Sequence, residues 1–180
     1  MRIIAGSRKG ARIFAPKGGG TRPTGDRVRE AAFNLIGPVD GARVLDLFAG
    51  SGAMGLEALS RGAASATFVE SDRAAADAIV RNLDKLGLEA GVVLRDDALR
   101  VLSRDAAAAR RYDLVLVDPP YRMLAGVLSP LARYLPAVVE PGGIVVVESG
   151  ARDEVDLPLV KRTTRRYGAA RVTVFEGAEK

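Results

Sequence analysis

Four consecutive residues, Asp118, Pro119, Pro120 and Tyr121, have the types and spacing for chemistry on a planar amino compound. They follow the apolar residues 114–117, a run typical of a strand buried on both faces. The prolines lack the N–H that a sheet needs, so the strand ends there at a stiff corner. A carboxylate and a fixed carbonyl could accept hydrogen bonds from an amino group while the aromatic ring stacks on its plane. The alternative is an Asp-Pro turn that only closes a strand.

A glycine-rich loop supplies a second group of candidates. Gly50, Gly52 and Gly55 fit the pattern G-x-G-x-x-G. Together with Glu70, twenty residues after Gly50, the pattern by itself indicates a dinucleotide. Asp46 argues against a dinucleotide, because a carboxylate before the turn would repel a pyrophosphate. It suits the ammonium and sulfonium groups of S-adenosylmethionine, which we predict as the cofactor.

Two further carboxylates extend the predicted cofactor site. Glu70 ends the second strand and could accept hydrogen bonds from ribose hydroxyls, although a strand-end carboxylate in solvent is the simpler interpretation. Asp97 follows the third strand and could accept from an adenine amino group or could cap the next helix. Because the carboxyl ends of parallel strands share one edge of a sheet, we expect Asp46, Glu70 and Asp118 to meet there.

The elements that must position these residues alternate along the chain. Apolar periodicity predicts strands at 42–48, 66–70, 91–95, 113–118 and 143–148, and helices at 53–61, 72–86, 98–109 and 124–139. Such alternation predicts a parallel sheet with helices on both faces. Residues 160–167 and 170–175 are typical of a closing hairpin around Gly168. At the other end, runs 2–5 and 11–15 predict a small hairpin, 16–20 a flexible link, and 26–36 a helix.

Charge is segregated along the chain. Residues 1–30 hold eight Lys or Arg residues against two acids, whereas the remainder has a net charge of −1. A second acid-free basic run covers 161–166. This pattern favours a polyanion partner, although a solvated basic surface would have the same composition. The candidate RNA-binding cations are Arg2, Arg8, Lys9, Arg12 and Arg27.

Composition excludes several kinds of chemistry. The 180 residues contain neither Cys nor His, so disulfides, thiol catalysis, a histidine base and histidine-ligated metals are all ruled out. No apolar run approaches the roughly 20 residues that span a bilayer. We expect a cytoplasmic protein.

The motifs together resemble class I S-adenosylmethionine-dependent methyltransferases, and among them the RsmD-like family. The resemblance covers nearly the whole chain and rests on residues 2–6, 22–30, 45–52, 56–62, 97–98, 118–121 and 167–168. It implies a Rossmann-like, doubly wound, mostly parallel seven-stranded α/β sheet with a C-terminal antiparallel hairpin. An N-terminal hairpin and helix would be appended to it. The expected division is a basic arm, 1–20, and a methyltransferase domain, 21–180. Gly25 departs from the family, where a hydroxyl residue is usual.

The resemblance also implies an activity. Members methylate the exocyclic N2 of one guanine in 16S ribosomal RNA, the guanine-966 type of reaction, in a small-subunit assembly particle. A methyltransferase acting on adenine N6 of DNA or RNA, or a non-catalytic RNA-binding protein, remains an alternative. We expect a monomer that needs no metal and releases S-adenosylhomocysteine. The expected catalytic residues are Asp118, Pro119, Pro120 and Tyr121, and the expected cofactor-binding residues are Arg22, Pro23, Thr24, Asp46, Phe48, Gly50, Ser51, Gly52, Glu70, Ser71, Asp97, Ala98 and Asp118.

Overall fold

The computed structural model describes residues 1–15 and 25–179. Within those ranges the strands are β1 Arg43–Leu47, β2 Ser65–Val69, β3 Gly91–Leu94, β4 Tyr112–Val117, β5 Val139–Gly150, β6 Val160–Tyr167 and β7 Ala170–Glu176. The α-helices of the same ranges are α1 Asp26–Ile36, α2 Ala53–Ser60, α3 Arg73–Leu86, α4 Ala98–Ala107 and α5 Leu124–Val138. The helices and strands predicted for these ranges are confirmed, and β5 is the one with a clearly different bound, whereas the link predicted at 16–20 lies outside the described residues. It starts at Val139 because that residue pairs with Tyr112 before a register shift.

All seven strands form one sheet in the order β3-β2-β1-β4-β5-β7-β6. The first five are parallel to one another, and β7 runs antiparallel to both β5 and β6. Parallel neighbours need helical crossovers, which place helices on the two faces and bury the strands. The predicted mostly parallel seven-stranded α/β sheet with a closing hairpin is therefore confirmed.

Helices cover the sheet from both sides and create two apolar cores. On one face, α1, α2 and α3 pack around Phe33, Phe68 and Ile79, all of which are fully buried. On the other face, α4 and α5 pack their leucines and valines against β1, β4 and β5. We call these the α1 face and the α5 face. Alternate strand residues point to opposite faces, so neighbouring residues such as Leu45 and Asp46 meet different helices.

The N-terminal hairpin lies along the α1 face. A single bridge joins Arg2 to Arg12, and the turn between them contains a short 3₁₀ helix, Gly6–Arg8. Ile3 and Ile13 are only 1% and 7% exposed and belong to the core of this face. The hairpin therefore contributes these two side chains to the core instead of lying only on the surface. The boundary after residue 20 lies outside the described residues, so the two-part division stays a prediction.

Candidate active site

The parallel strands end level with one another at one edge of the sheet. Leu47 at the end of β1 pairs with both Val69 and Val117, the last residues of β2 and β4. Val69 pairs in turn with Leu94, the last residue of β3. The loops that follow these strands therefore meet at a common edge, which we call the carboxyl rim. This is the edge at which open α/β sheets bind ligands.

The glycine-rich loop begins the rim at the end of β1. Gly50 and Gly52 have φ angles of 56° and 75°, in the left-handed region that glycine enters without strain. A Cβ at Gly50 would meet no atom within 4 Å, so its surface is open to a ligand. Gly55 serves packing instead, because a Cβ there would lie 2.3 Å from the Phe68 ring. The loop thus combines an exposed backbone with close contact between α2 and the sheet.

Asp46 is buried beneath this loop with 3% of its surface exposed. Its Oδ2 accepts a hydrogen bond from the Gly55 N–H at 2.9 Å, at the first turn of α2. Burial raises the pKa of Asp46 to about 7; the Gly55 bond opposes the rise and the charge of Glu70 adds to it. A carboxylate held this way is stabilised by the arrival of a cation.

Glu70 connects the glycine-rich loop to the loop that follows β2. Its Oε2 accepts from the Gly50 N–H at 2.8 Å, and its Oε1 accepts from the Asp72 N–H at 2.8 Å. Each carboxylate oxygen has a second lone pair, so both can also accept from hydroxyl groups. The ribose contact predicted for Glu70 stays a prediction, and the structure adds a loop-ordering role.

Phe48 is the strained residue of the rim. Its φ angle is 60°, which is uncommon for any residue except glycine and an outlier for a bulky side chain. The ring is half-buried against the α5-face core. Strain of this kind is found at ligand sites, where the surrounding structure enforces the conformation. Its position between Leu47 and the glycines is consistent with the predicted cofactor contact.

Residues 118–121 continue the rim after β4, the strand next to β1. Asp118 is half-buried, Pro119 is buried and Tyr121 is 45% exposed. A 3₁₀ helix, Tyr121–Met123, follows directly, with the Met123 N–H donating to the Pro120 carbonyl at 2.7 Å. A carboxylate and a partly exposed ring thus follow the strand next to β1, and their catalytic role stays a prediction.

The remaining predicted cofactor residues differ in how exposed they are. Asp97 is exposed and caps α4, accepting from the Arg100 N–H at 2.9 Å, so the helix-cap interpretation is confirmed and the adenine contact stays a prediction. Ala98 is buried, whereas Ser51 is half-buried and Ser71 is exposed. The predicted cap of the pocket, Arg22, Pro23 and Thr24, lies outside the described residues.

The predicted RNA-binding cations are spread over the molecule. Arg27 is exposed at the start of α1, and Arg2 pairs with Asp26 beside it at 3.6 Å. Arg8 and Lys9 sit at the hairpin tip against the far end of α2, where the Arg8 N–H donates to Ser60 Oγ at 2.9 Å. The Arg8 guanidinium also donates to the Leu86 carbonyl at the end of α3.

A buried polar network at Glu57 is not among the residues singled out from sequence. Glu57 is 0% exposed and accepts from the backbone N–H groups of Ile4 and Ala5 at 2.8 and 2.9 Å. It also pairs with Arg29, itself 0% exposed, at 3.6 Å and with Arg61 at 2.8 Å. The available signal was a charged residue inside an otherwise apolar helix, since such a residue is rarely buried without a partner.

Asn82 ties the same hairpin to the glycine-rich loop. Its Oδ1 accepts from the Phe14 N–H at 2.7 Å, and its Nδ2 donates to the carbonyls of Phe14 and Ser51 at 3.0 and 3.4 Å. The N-terminal hairpin therefore touches the loop predicted to hold the cofactor.

Residues 1–15 and 25–179 contain neither a cluster of metal-ligating side chains nor a membrane-spanning helix. No group of three or more acidic side chains stands close enough to hold a metal ion. No helix in these ranges combines the length and apolar character needed to cross a membrane.

Known proteins share both the sequence and the architecture. Residues 1–176 match the family model described as conserved hypothetical protein 95. The chain is 40% identical over 185 residues to the putative rRNA methyltransferase YlbH of Bacillus subtilis, covering 98% of each chain. It is 45% identical over 123 residues to ribosomal RNA small subunit methyltransferase D of Escherichia coli K12, covering 68% of this chain and 61% of that protein.

A solved structure extends the similarity to three dimensions. The putative methyltransferase yhhF from Escherichia coli superimposes with a TM-score of 0.84 at 33% identity, covering 100% of this chain and 99% of that one. The sequence comparison and the structural comparison thus lead to the same family of proteins. The chain belongs to the conserved hypothetical protein 95 family, which is the RsmD family of methyltransferases.

Proposed function

We propose that this protein transfers a methyl group from S-adenosylmethionine to the exocyclic N2 of one guanine in 16S ribosomal RNA. The observation that carries the proposal is the common rim, where the glycine-rich loop, Glu70 and residues 118–121 follow the level ends of β1, β2 and β4. The names of the relatives supply the RNA class, because they describe ribosomal RNA methyltransferases. The position on the RNA, the guanine-966 type, rests on resemblance.

The rim fits this cofactor better than a dinucleotide. Two carboxylates, Asp46 and Glu70, lie close enough for the charge of one to raise the pKa of the other. Such a pair repels a pyrophosphate and attracts an ammonium or sulfonium group. The open backbone at Gly50 leaves room for the ligand to approach closely. When bound, the cofactor supplies an activated methyl group on sulfur, so no metal is needed for activation.

The chain's own residues prepare the amino group of the base. That nitrogen is a poor nucleophile because its lone pair is delocalised into the ring. Its two N–H groups can donate to the Asp118 carboxylate and to the Pro119 carbonyl, which favours a pyramidal nitrogen with an available lone pair. Tyr121 stacks on the base and fixes its plane. Such positioning is worth up to roughly 7–11 kcal/mol in favourable cases.

The transfer leaves one proton to be removed. A nitrogen–carbon bond forms as the carbon–sulfur bond breaks, and the methylated nitrogen then carries a positive charge. Asp118 stabilises that charge as a hydrogen-bond acceptor, and the proton then leaves to water. The target base must be unstacked to reach the rim. We further propose an assembly particle as substrate and a monomeric, cytoplasmic enzyme.

Radiolabelled methyl transfer tests the proposal. Wild-type protein is incubated with labelled cofactor and three substrates: deproteinised small-subunit RNA, small-subunit assembly particles, and DNA. Nucleoside analysis should find N2-methylguanosine from the RNA or the particles. Methyladenosine or methyladenine would instead support the adenine-N6 alternative, and the absence of transfer to every substrate would contradict an enzymatic function.

A further inference from the structure

The outermost strand of the sheet has cations and a ring that the proposed reaction does not use. β6 contains Lys161, Arg162, Arg165 and Arg166 before it ends at Tyr167, and this stretch has no acid. Positive charge on an edge strand has an ordinary explanation, because it blocks pairing with other sheets. Charge alone therefore does not identify a binding site.

A cleft beside Tyr167 is the second observation. It has a volume of about 580 Å³ and lies between α1 and the β6–β7 turn, with the lining Arg27, Val28, Glu30, Ala31, Tyr167 and Gly168. The turn is tight, and Gly168 meets its geometry with a φ of 64°. The volume lies within the roughly 300–1,000 Å³ of small-ligand sites. An aromatic ring with small apolar neighbours suits a planar, apolar-faced ligand.

Strand register relates this cleft to the active site. Ala170 pairs with Gly150 on one side and with Tyr167 on the other, so all three residues point to the same face, that of α1. The Tyr121 ring lies on that face too, since its Cδ2 is 3.7 Å from the position of a Cβ on Gly150. Two strand spacings of roughly 4.8 Å separate the backbones of Gly150 and Tyr167.

That separation matches a short length of nucleic acid. About 10 Å corresponds to roughly three stacked nucleotides at about 3.4 Å each, and to fewer in an extended chain. A single strand whose target base stacks on Tyr121 would therefore pass the cleft within three nucleotides. RNA is also the partner that the proposed function supplies, and the inference rests on that proposal.

Charges around the cleft distinguish where a base and a phosphate would lie. Glu30 lines the cleft and repels a phosphate there, whereas a base can donate an N–H to it. Arg27 is exposed on one wall, and Arg165 points to the same face as Tyr167 because it pairs with Val172 of the α1-face core. We propose that the cleft holds an RNA base within three nucleotides of the target, stacked on Tyr167, with Arg27 and Arg165 at the flanking phosphates.

Binding of modified RNA tests the base-stacking part. The probe is a fluorescent single-stranded RNA of about ten nucleotides with one guanine, measured with S-adenosylhomocysteine present. Abasic residues replace each of the three positions on either side in turn. Base–aromatic stacking corresponds to about 5- to 100-fold in Kd. Wild-type protein should lose that factor at one position, Tyr167→Phe should behave like wild type, and Tyr167→Ala should bind weakly without sensing the abasic residue.

Equal sensitivity of wild type and Tyr167→Ala to every abasic position would overturn the subsite, as would no measurable binding of this RNA to wild type.

Arg165→Gln tests the phosphate contact and should reduce the salt slope of binding by about 0.7. The matched control is Lys161→Gln, on the same strand but beside Asp156 at 3.8 Å; it should leave the slope unchanged. Equal slopes for both variants would refute the phosphate contact.

One control and two possible outcomes distinguish a failure of the subsite from a failure of the proposed methyltransferase function. Unchanged S-adenosylhomocysteine affinity and melting temperature show that Tyr167→Ala folds. Normal RNA methylation with a KM unaffected by Tyr167→Ala would refute the subsite and leave the proposed function intact. In another outcome, Tyr167→Ala loses the abasic sensitivity that wild type shows, but wild type methylates no RNA. That outcome would refute the proposed function and support base stacking on Tyr167.

Discussion

At the scale of single residues, the burial of the Asp46 carboxylate determines how cofactor binding depends on pH. A pKa of about 7 places its charge change in the physiological range. A cation in the pocket favours the ionised form, so binding and deprotonation are linked. Without cofactor, the Asp46 carboxyl is therefore about half protonated near neutral pH. Cofactor affinity should depend on pH because the ionised carboxylate is the form that attracts a cation.

We expect the affinity for S-adenosylhomocysteine, which retains the ammonium group, to fall as pH decreases from 8 to 6. With a pKa of about 7 for Asp46, the loss should be about tenfold. Asp46→Asn should bind weakly throughout and show no such dependence. Calorimetry at four pH values measures both proteins. A wild-type slope that persists in Asp46→Asn would assign the titration to another group.

Stability without cofactor should have the opposite dependence. Folded Asp46 keeps its proton to about pH 7, whereas the unfolded carboxyl releases it near 3.8. The folded state thus binds more protons between these values, and its free energy of unfolding falls as pH rises through that window. Urea unfolding of wild type and Asp46→Asn isolates this contribution, because only the wild type should show it.

Asp118 acts on the other substrate, and its replacement should affect turnover rather than cofactor binding. As a hydrogen-bond acceptor, it should be partly replaceable. Asp118→Ala should lose about 100-fold or more in kcat, whereas Asp118→Asn retains one acceptor oxygen and should lose less. S-adenosylhomocysteine affinity should change little in either. Equal inactivity of the two variants would favour a general-base role for the carboxylate.

At the scale of elements, α2 connects the cofactor loop to the N-terminal hairpin. Its first turn holds Asp46 through Gly55, and its middle holds the hairpin through Glu57. Ser60, its last residue, receives the Arg8 N–H. The hairpin is consequently part of the scaffold that orders the glycine-rich loop.

Replacing Glu57 by Ala should destabilise the protein by about 3–5 kcal/mol, because it removes the buried carboxylate partner of Arg29 and leaves only the partly exposed Asp26. It also leaves the Ile4 and Ala5 N–H groups without an acceptor. The matched control is Asp77→Ala, which breaks an exposed pair with Arg73 and should cost less than about 1 kcal/mol. Urea midpoints compare the two. Similar midpoints would mean that Glu57 adds nothing beyond a surface pair.

Most of these elements could be predicted from local sequence. Periodicity located the strands, and the carboxyl rim followed because parallel strands share one edge. The Glu57 network could not be predicted in this way, because Ile4 and Glu57 are 53 positions apart and local periodicity is insensitive to such contacts. The same limit applies to the hairpin tip. Composition shows that Arg8 is charged, but it does not show that the Arg8 guanidinium donates a hydrogen bond to the Leu86 carbonyl.

At the scale of the whole molecule, the basic N-terminal region divides between two ends. Arg27 lies at the start of α1 beside the cleft, whereas Lys9 belongs to the tip at the end of α2. The eight residues of α2 separate the tip from Gly52 by about 12 Å. Net charge alone therefore overstates how many cations can reach one short RNA.

A salt titration can resolve the two ends. With a short RNA around the target guanine, Arg27→Gln should lower the salt slope of binding by about 0.7. Lys9→Gln carries the same charge change and should not alter it. With the full small-subunit RNA, both variants could lower the slope. A larger effect of Lys9→Gln on the short RNA would mean that the strand runs over the hairpin instead.

The position of β7 has a consequence for synthesis on the ribosome. Among residues 1–15 and 25–179, β6 pairs in the sheet with β7 alone, and β7 is later in the chain than both strands that it joins. Until residues 170–176 leave the exit tunnel, β6 lacks this partner strand and β5 presents an open edge to other chains. At roughly 5–20 residues per second this exposure lasts about a second or more. The cationic side chains of β6 can protect the nascent chain from aggregation during that interval.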